Sequence, residues 1–212
     1  MVQVFMHTSL LMASKINLLV DIGNSSISWK IGDCYSRVDI KDFQVSAIPQ
    51  HQISTIACVA NHELIQHFSK PIIIKPKPYK DLVFDYSLEQ LGVDRFLGLV
   101  AGYDKYPEQD FMLVDIGTFV TLDIVRSKRH IDEGIAPGLE QLQKCKTFVG
   151  DDSQKSWRMG TKNMLRDTIE KHCDAFNGKI LITGGGQVIV DIKQAEYHQN
   201  LVITGLEIIN GK

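Results

Sequence analysis

Residues 18–25 read LLVDIGNS, and residues 112–119 repeat the phrase as MLVDIGTF. Each copy is an apolar run that ends in an Asp, followed by one apolar residue, a Gly and a short polar residue. A second apolar or β-rich run follows each copy, over residues 27–31 and 120–125. The repeat therefore predicts, twice, a buried strand, a tight turn at the Gly and a returning strand.

The turn of such a hairpin suits a phosphate group. Its Gly allows a positive φ or a close approach to a ligand, so main-chain N–H groups can point at an anion. Asp21 and Asp115 stand at the two strand ends, where a carboxylate can hold a cation directly or through water. An ordinary hairpin explains either copy alone. The matched pair favours two hairpins that face each other and grip a nucleotide's phosphates and its metal.

The length of 212 residues allows one large domain or two of about a hundred residues each. The repeat favours two similar lobes, over residues 16–109 and 110–212. Residues 1–15 are apolar but have no basic start and no convincing small-residue cleavage site. We therefore expect an over-long start or a disordered lead-in there, rather than a signal peptide.

The composition, 44% hydrophobic and 23% charged, is typical of a soluble globular protein. A net charge of −2 supplies no general field to attract nucleic acid or an anionic membrane, and no apolar stretch is long enough to span a bilayer. The four cysteines include no Cys-x-x-Cys pair and the seven histidines no His-x-x-x-His pair, which argues against a zinc site. We expect free thiols, a cytoplasmic location, and neither nucleic acid nor membrane as a partner.

Strand-like and helix-like segments alternate along the chain, which indicates α/β architecture. Beyond the hairpins, the predicted strands are 53–59, 71–74, 179–183 and 201–203. The predicted helices are 61–68, 88–103, a segment from Leu139, 161–173 and a segment from Leu206. The polar stretch 150–160 is predicted to be a mobile loop, with Thr161 as the cap of the helix after it.

Three further phrases accompany the hairpins: LGVDR at residues 91–95, GIAPG at 134–138 and TGGG at 183–186. The hairpins resemble the phosphate loops of the actin-like ATPase superfamily. The whole order, from Leu18 to near the end of the chain, resembles the type III pantothenate kinases. The motifs of that family are Asp-x-Gly-Asn-Thr, Gly-x-Asp-Arg, Asp-x-Gly-Thr-Ala-x-Thr, Gly-Gly-x-Ile-x-Pro-Gly and a late Thr-Gly-Gly. Any one phrase is weak, whereas the five in order are specific.

The resemblance implies an α/β fold of two similar ribonuclease H-like (actin-like ATPase) lobes, with mixed sheets and flanking helices. It implies an enzyme that uses ATP to phosphorylate pantothenate to 4'-phosphopantothenate, the first step of coenzyme A biosynthesis. The implied cofactors are ATP as co-substrate, Mg²⁺ and a monovalent cation, K⁺ or NH₄⁺. The implied assembly is a homodimer.

The resemblance also assigns roles to residues of this chain. Asp94 matches the catalytic base, and Asp115 matches the position that holds the monovalent cation. The positions that match ATP-binding residues are Asp21, Ile22, Gly23, Asn24, Ser25, Ser26, Ile27, Ser28 and Thr118. The positions that match pantothenate-binding residues are Tyr86, Gly92, Val93, Asp94, Arg95 and Thr161, the last reaching the substrate from the partner subunit. Arg95 is expected to place anionic groups through the bidentate geometry of its guanidinium.

The sequence departs from the family pattern at three places. Phe119 stands where the family has a small residue, and Glu133 replaces the first Gly of the fourth motif. Both departures bear on ATP affinity. The segment between Gly138 and Thr161 is shorter than in most members, which bears on the shape of the pocket. Another actin-like small-molecule kinase and a non-catalytic regulator on the same fold therefore stay open as alternatives, while the three aspartates favour an active enzyme.

Overall fold

The structure, a computed structural model, describes residues 16–85, 87–144 and 153–211. Its first half is built on a five-stranded mixed sheet with the order β3-β2-β1-β4-β5. The strands are β1 (Asn17–Ile22), β2 (Ser26–Ile31), β3 (Cys34–Asp39), β4 (Ile53–Cys58) and β5 (Pro71–Ile73). The first three form an antiparallel meander, and β4 and β5 continue the sheet in parallel on the other side of β1.

The second sheet repeats this arrangement with six strands in the order β11-β10-β7-β8-β9-β6. The strands are β6 (Val83–Phe84), β7 (Phe111–Ile116), β8 (Phe119–Arg126), β9 (Arg129–Pro137), β10 (Lys179–Thr183) and β11 (Ala195–Tyr197). Strands β7, β8 and β9 form the meander, and β10 is parallel to β7 on its other side. The two copies of the repeated phrase therefore occupy equivalent places, and each forms the predicted hairpin.

In the described parts of the chain, four α-helices accompany the sheets: α1 (Val93–Lys105), α2 (Leu139–Lys144), α3 (Gln154–Ala175) and α4 (Leu201–Ile209). Short 3-10 helices cover residues 40–42, 45–47, 62–67 and 187–189. Among the described residues, none of the helices has the length and apolar character needed to cross a membrane.

The period-two alternation of the strands sorts their side chains into an outer and an inner face. On β1, the side chains of Leu18, Val20 and Ile22 enter a core on the outer face, while Leu19 joins the central core. On β7, the corresponding outer residues pack with α3, whereas Phe111 and Leu113 join the central core. Asp21 and Asp115 continue the inner rows, so alternation alone directs both carboxylates towards the space between the sheets.

Helices α1 and α4 fill most of the space between the two sheets. Both contribute buried residues to the central core, where they meet Leu19 of the first sheet and Leu181 of the second. The helices cross closely, because a Cβ on Gly205 of α4 would lie 2.3 Å from the carbonyl oxygen of Leu97 in α1. This packing closes one end of the space between the sheets and leaves a cleft at the end where the two hairpin turns lie.

The boundary between residues 109 and 110 stays a prediction. Two elements cross it in the structure. Strand β6 precedes the boundary in sequence but pairs with β9 of the second sheet. Helix α4 follows it but packs against α1 and β1. The two halves are therefore interlocked, and a cut at this position would divide both the second sheet and the central core.

The structure corrects two local predictions. The stretch 150–160 is not a loop in its described part, because α3 begins at Gln154, and Thr161 lies inside this helix instead of capping it. Residues 201–203 are the start of α4 instead of a strand, since Asn200 caps a run of apolar residues that is buried on α1. β-branched residues misled the prediction, and a short apolar run cannot be assigned by its pattern alone. The lead-in 1–15 and Tyr86 lie outside the described residues.

Candidate active site

The two hairpin turns meet at the mouth of the cleft. The side-chain hydroxyls of Ser25 and Thr118 lie 3.1 Å apart. Each turn is closed by the N–H of its glycine, since Gly23 donates to the carbonyl of Ser26 at 2.9 Å and Gly117 donates to the carbonyl of Phe119 at 2.9 Å. The first of these bonds spans residues 23–26 and the second spans 117–119, so the turns differ in length, but both present short polar side chains to one space.

Asp21 lies at the end of β1 and accepts a hydrogen bond from a residue 179 positions later in the chain. Asn200 donates from its Nδ2 to Oδ2 of Asp21 at 3.0 Å, while its Oδ1 accepts the N–H of Ile203 and caps α4. Burial raises the pKa of Asp21 to about 6, with a further upward contribution from the charge of Asp94, against the Asn200 hydrogen bond, which lowers it. A cleft that raises a carboxyl pKa in this way favours a cation beside it.

Asp115 takes the equivalent position at the end of β7. The pKa of Asp115 is raised to about 7, mainly by burial and in addition by the charges of Asp94 and Asp21. Gly184, with a φ of +94°, brings the loop after β10 against this carboxylate, since a Cβ there would lie 2.4 Å from Oδ1 of Asp115. The loop of the TGGG phrase therefore forms one wall of the Asp115 site, and only glycine fits at position 184.

Asp94 is in the first turn of α1, between the two hairpins. Its Oδ1 accepts the N–H of Arg95 at 2.8 Å. A Cβ at Gly92 would lie 2.5 Å from the same oxygen, so the glycine of the phrase makes room for the carboxylate. Burial raises the pKa of Asp94. A carboxyl with a raised pKa at the end of a cleft is suited to accept a proton.

These three carboxylates line one cavity of about 130 Å³, which we call the carboxylate cavity. Its other walls include both turns, Thr183, Gly184, Asn200 and Arg37. Beside it lies a side cavity of about 630 Å³, whose own wall residues are Asp39, Ile40, Lys41, Ile116, Leu139, Glu140, Gln143, Gly186 and Ile189. The two cavities share the residues Asn24, Ser25, Arg37, Gly117, Thr118 and Gly185. A ligand with an elongated anionic part could extend through both.

Arg95 does not line either cavity. It is 8% exposed and forms a bidentate pair with Asp123, with Nε at 3.1 Å from Oδ2 and Nη2 at 2.5 Å from Oδ1. Nε2 of His130 lies 2.8 Å from Oδ1 of the same carboxylate, and both side chains are fully buried. Burial raises the pKa of Asp123, whereas the hydrogen bonds from His130 and Arg95 lower it. The net result is a pKa below the usual value. The pair anchors the start of α1, and thereby Asp94, to β8.

The remaining expected site residues are distributed as follows. Gly23, Asn24, Ser25, Ser26, Ser28 and Thr118 line the carboxylate cavity. Ile22 and Ile27 are buried in the outer core of the first sheet, and Val93 is buried in the central core. Thr161 is 6% exposed and donates to the carbonyls of Trp157 and Arg158 in its own helix. Within one chain, Thr161 is not part of the cavity wall.

The donor set of the cavity suits a hard cation. Its three carboxylates and several hydroxyls offer oxygen ligands, and burial, with a smaller contribution from neighbouring carboxylates, raises the pKa values of Asp21 and Asp115. Those residues contain no group of three or more His, Cys, Asp or Glu side chains placed to hold a metal by themselves. Mg²⁺ commonly takes one or two carboxylates and completes its shell with water and phosphate oxygens. The residues present therefore fit a nucleotide-bound divalent cation.

Sequence reasoning missed several residues of the site. Arg37 and Asn200 carry no local pattern that separates them from ordinary strand and turn residues, and Thr183 was noticed only as the start of the TGGG phrase, without a role in the site. Strand register does place Arg37 and Thr183. Arg37 lies across from Ser28 and Ser28 across from Asp21, while Thr183 lies across from Asp115. Only Asn200, which reaches Asp21 from 179 positions away, required the full tertiary structure.

Two mixed sheets with interlocked helices and a cleft between repeated phosphate-loop hairpins define a protein of the actin-like ATPase fold. Solved structures agree. A conserved Campylobacter jejuni protein named as a Baf family transcriptional activator superposes with a TM-score of 0.66 at 24% identity, covering 91% of this chain and 98% of that one. The pCBH ParM non-polymerisable quadruple mutant gives a TM-score of 0.50 at 10% identity, covering 93% and 99%. At these identities the likeness concerns the fold.

The family follows from the sequence comparisons. The family model described as type III pantothenate kinase matches residues 38–145, which is half of the chain. A type III pantothenate kinase of Pseudoalteromonas translucida is 27% identical, over 90% of this chain and 94% of its own length. One from Cellvibrio japonicus is 28% identical, over 90% and 95%. The chain belongs to the type III pantothenate kinase family.

Proposed function

We propose that this protein transfers the γ-phosphate of ATP to the primary hydroxyl of pantothenate and so forms 4'-phosphopantothenate. The observation that carries the proposal is the convergence of Asp21, Asp94 and Asp115 on one cavity between the two hairpin turns. Phosphoryl transfer depends mainly on positioning and on charge neutralisation, which such a cavity supplies. Family membership supports ATP and a divalent metal as its requirements.

Asp94 is the proposed general base. It would orient the acceptor hydroxyl and take its proton as the new oxygen–phosphorus bond forms and the bond to ADP breaks. Three features support this role: its place in the cavity, its raised pKa, and the fixed backbone contact to Arg95. Arg95, expected from the sequence to place anionic groups, serves instead in our proposal to hold this turn in place through its pair with Asp123.

The hairpins would hold the phosphates. Ser25 and Thr118 offer hydroxyls at the meeting point of the turns, and Asp21 with Asp115 would hold Mg²⁺ through oxygen or water ligands. When bound, the divalent ion neutralises phosphate charge and helps align the transferring group. A monovalent cation, K⁺ or NH₄⁺, beside Asp115 is the further proposal, since that carboxylate lies among like charges.

A homodimer would supply the rest of the acceptor pocket. The carboxylate cavity is small, at about 130 Å³, and its described walls include no residue of α3. Pockets for small molecules usually bury most of the ligand surface. A second copy of the chain would add a wall by symmetry, with α3 and its neighbourhood around Thr161 as the proposed contributor. We also propose that the enzyme works in the cytoplasm.

The test is a coupled assay of ADP release with and without pantothenate, in potassium and in sodium buffer, together with light scattering. We expect pantothenate-dependent turnover by a dimer, with higher activity in potassium. ADP release that responds to another primary alcohol but not to pantothenate would assign the protein to a different small-molecule kinase reaction. The absence of turnover with every acceptor, despite ATP binding, would favour the non-catalytic alternative.

A further inference from the structure

We propose that Arg37 binds the polyphosphate chain of the nucleotide where the carboxylate cavity opens into the side cavity. This inference deepens the proposed function and rests on it. Nothing in the repeated motifs points to Arg37, which lies on β3 outside both hairpin turns. Its assignment comes from strand register, from the reach of its guanidinium and from the charges around it.

Strand register puts Arg37 in the same row as a cavity carboxylate. Asp21 on β1 lies opposite Ser28 on β2, and Ser28 lies opposite Arg37 on β3. Directly opposed residues in an antiparallel sheet point to the same face. Arg37 therefore projects from the inner face of the first sheet, two strands away from Asp21.

The guanidinium spans the cleft to the second sheet. A Cβ placed on Gly185 would lie 2.6 Å from Nη2, 2.9 Å from Nη1 and 3.1 Å from Cζ of Arg37. The planar group thus lies against the backbone of the glycine loop that follows β10. Any side chain at Gly185 would displace it, so this glycine makes room for the arginine just as Gly92 makes room for Asp94.

The charges around Arg37 leave it poised for an anion. Among the described residues that line the carboxylate cavity, three are carboxylates and Arg37 is the cation. In the described parts of the chain, no side-chain hydrogen bond or salt bridge joins the guanidinium of Arg37 to another residue, although its charge lowers the pKa of Asp21 and of Asp115 from a distance. Its five N–H donors are therefore available, and a guanidinium matches phosphate oxygens in bidentate geometry.

Arg37 also stands at the junction of the two cavities, since it lines both. The side cavity, at about 630 Å³, has the apolar residues Ile40, Leu139 and Ile189 in its wall and offers space for a nucleoside. A phosphate chain that runs from there to Asp21 and Asp115 must pass the guanidinium. Its contact with the nucleotide would connect β3 of the first sheet to the glycine loop of the second through the ligand.

The experiment compares the purified variants Arg37→Gln and Arg37→Lys with the wild-type protein. The matched control is Arg126→Gln, which changes an exposed arginine at the end of β8 that lies over the ring of Phe176 and lines neither cavity. Isothermal titration gives the Kd of Mg·ATP and Mg·ADP, and competition with bound ATP analogue gives that of inorganic tripolyphosphate and of adenosine. Circular dichroism and the Tm of each variant verify the fold.

We expect Arg37→Gln to weaken Mg·ATP, Mg·ADP and tripolyphosphate by about 10- to 100-fold, as the loss of a charged bidentate contact does. The affinities of Arg37→Lys should lie between those of Arg37→Gln and the wild type, because lysine keeps the positive charge but lacks the bidentate donor geometry of the guanidinium. Adenosine binding should change less than threefold or so, since adenosine has no phosphate. Arg126→Gln should match the wild type with every ligand.

Unchanged Mg·ATP affinity in Arg37→Gln would overturn the inference, and so would equal losses for adenosine and Mg·ATP. The outcome for the proposed function is read separately. If the wild type binds Mg·ATP in an Arg37-dependent way but does not turn over pantothenate, the substrate proposal fails and the Arg37 inference stands. If the wild type phosphorylates pantothenate and Arg37→Gln binds Mg·ATP normally, only the Arg37 inference fails.

Discussion

The hydroxyl oxygens of Ser25 and Thr118 lie 3.1 Å apart although 93 positions separate them in the chain. Each belongs to the turn of one hairpin, so this contact is the point where the two copies of the repeated phrase touch. A ligand held by both turns must engage or replace this hydrogen bond.

We expect Ser25→Ala and Thr118→Val each to raise the KM for ATP by about 3- to 30-fold, because each removes one hydroxyl contact. If the two hydroxyls act on the same phosphate group, the double variant should lose less than the product of the single losses. Steady-state kinetics of the four proteins gives the coupling. Additive losses with no coupling would show that the hydroxyls act independently.

Asp94→Asn should lower kcat by about two orders of magnitude or more, because the amide keeps the shape of the carboxylate but cannot accept the proton. The Kd for Mg·ATP should change little. Single-turnover kinetics with titration of ATP separates the two effects. Turnover near the wild-type level in Asp94→Asn would exclude the general-base role.

Asp115→Asn should stabilise the free protein at neutral to alkaline pH while it impairs catalysis. The pKa of Asp115 is raised from 3.8 to about 7 in the folded state, so the folded protein binds more protons than the unfolded chain between about pH 4 and 7. The stability of the wild type therefore falls as pH rises through that window. The variant has no carboxyl group to ionise at this position and does not lose stability in this way. It should therefore be only slightly more stable than the wild type at pH 5 and clearly more stable at pH 8.

The expected gain at pH 8 is about 1–3 kcal/mol, because one unit of pKa corresponds to about 1.4 kcal/mol and the half-buried carboxylate remains partly screened by solvent. Urea denaturation at both pH values, with EDTA present, measures it. A variant that is less stable than the wild type at pH 8 would contradict the argument.

Asp123→Asn should destabilise the fold, because it leaves the buried guanidinium of Arg95 without its carboxylate. The expected loss is about 3–5 kcal/mol, as for other broken buried ion pairs. The control is Asp85→Asn, which breaks the surface pair with Arg129, whose side chains are 39% and 61% exposed. Exposed pairs contribute about 0–1 kcal/mol. Equal effects in the two variants would show that the Arg95–Asp123 pair is not an anchor.

Gly205→Ala and Gly160→Ala should act in opposite directions. A Cβ on Gly205 would lie 2.3 Å from the carbonyl oxygen of Leu97, so α4 must move away from α1, at a cost of about 1–3 kcal/mol. Gly160 lies in α3 with open space around its Cα, and alanine there should stabilise the helix by about 0.5–1 kcal/mol. Thermal denaturation of both variants tests the close helix crossing. A neutral Gly205→Ala would show that the helices can separate freely.

The sequence was sufficient for the features that repeat or alternate. The strand period alone directs Asp21 and Asp115 inward, and the shared phrase predicts two equivalent hairpins. It was insufficient where the deciding contact is distant. Residues 201–203 read as a strand because their β-branched side chains suit either structure, and only burial on α1 and the cap by Asn200 select the helix. Arg37 escaped notice because the features that mark it, register and the approach to Gly185, are tertiary.

Helix α4 imposes an order on the folding of the newly made chain. The first sheet and α1 leave the ribosome before α4, yet α4 covers them and its cap residue Asn200 fixes Asp21. The part of the first sheet and of α1 that α4 covers therefore stays exposed to water until α4 has been synthesised, after β10 and β11 of the second sheet. An apolar surface exposed for that interval is a substrate for chaperones and a risk for aggregation. The packing of the first sheet is therefore complete only after the second sheet has been made, and Asp21 acquires its hydrogen-bond partner only once Asn200 has been added to the chain.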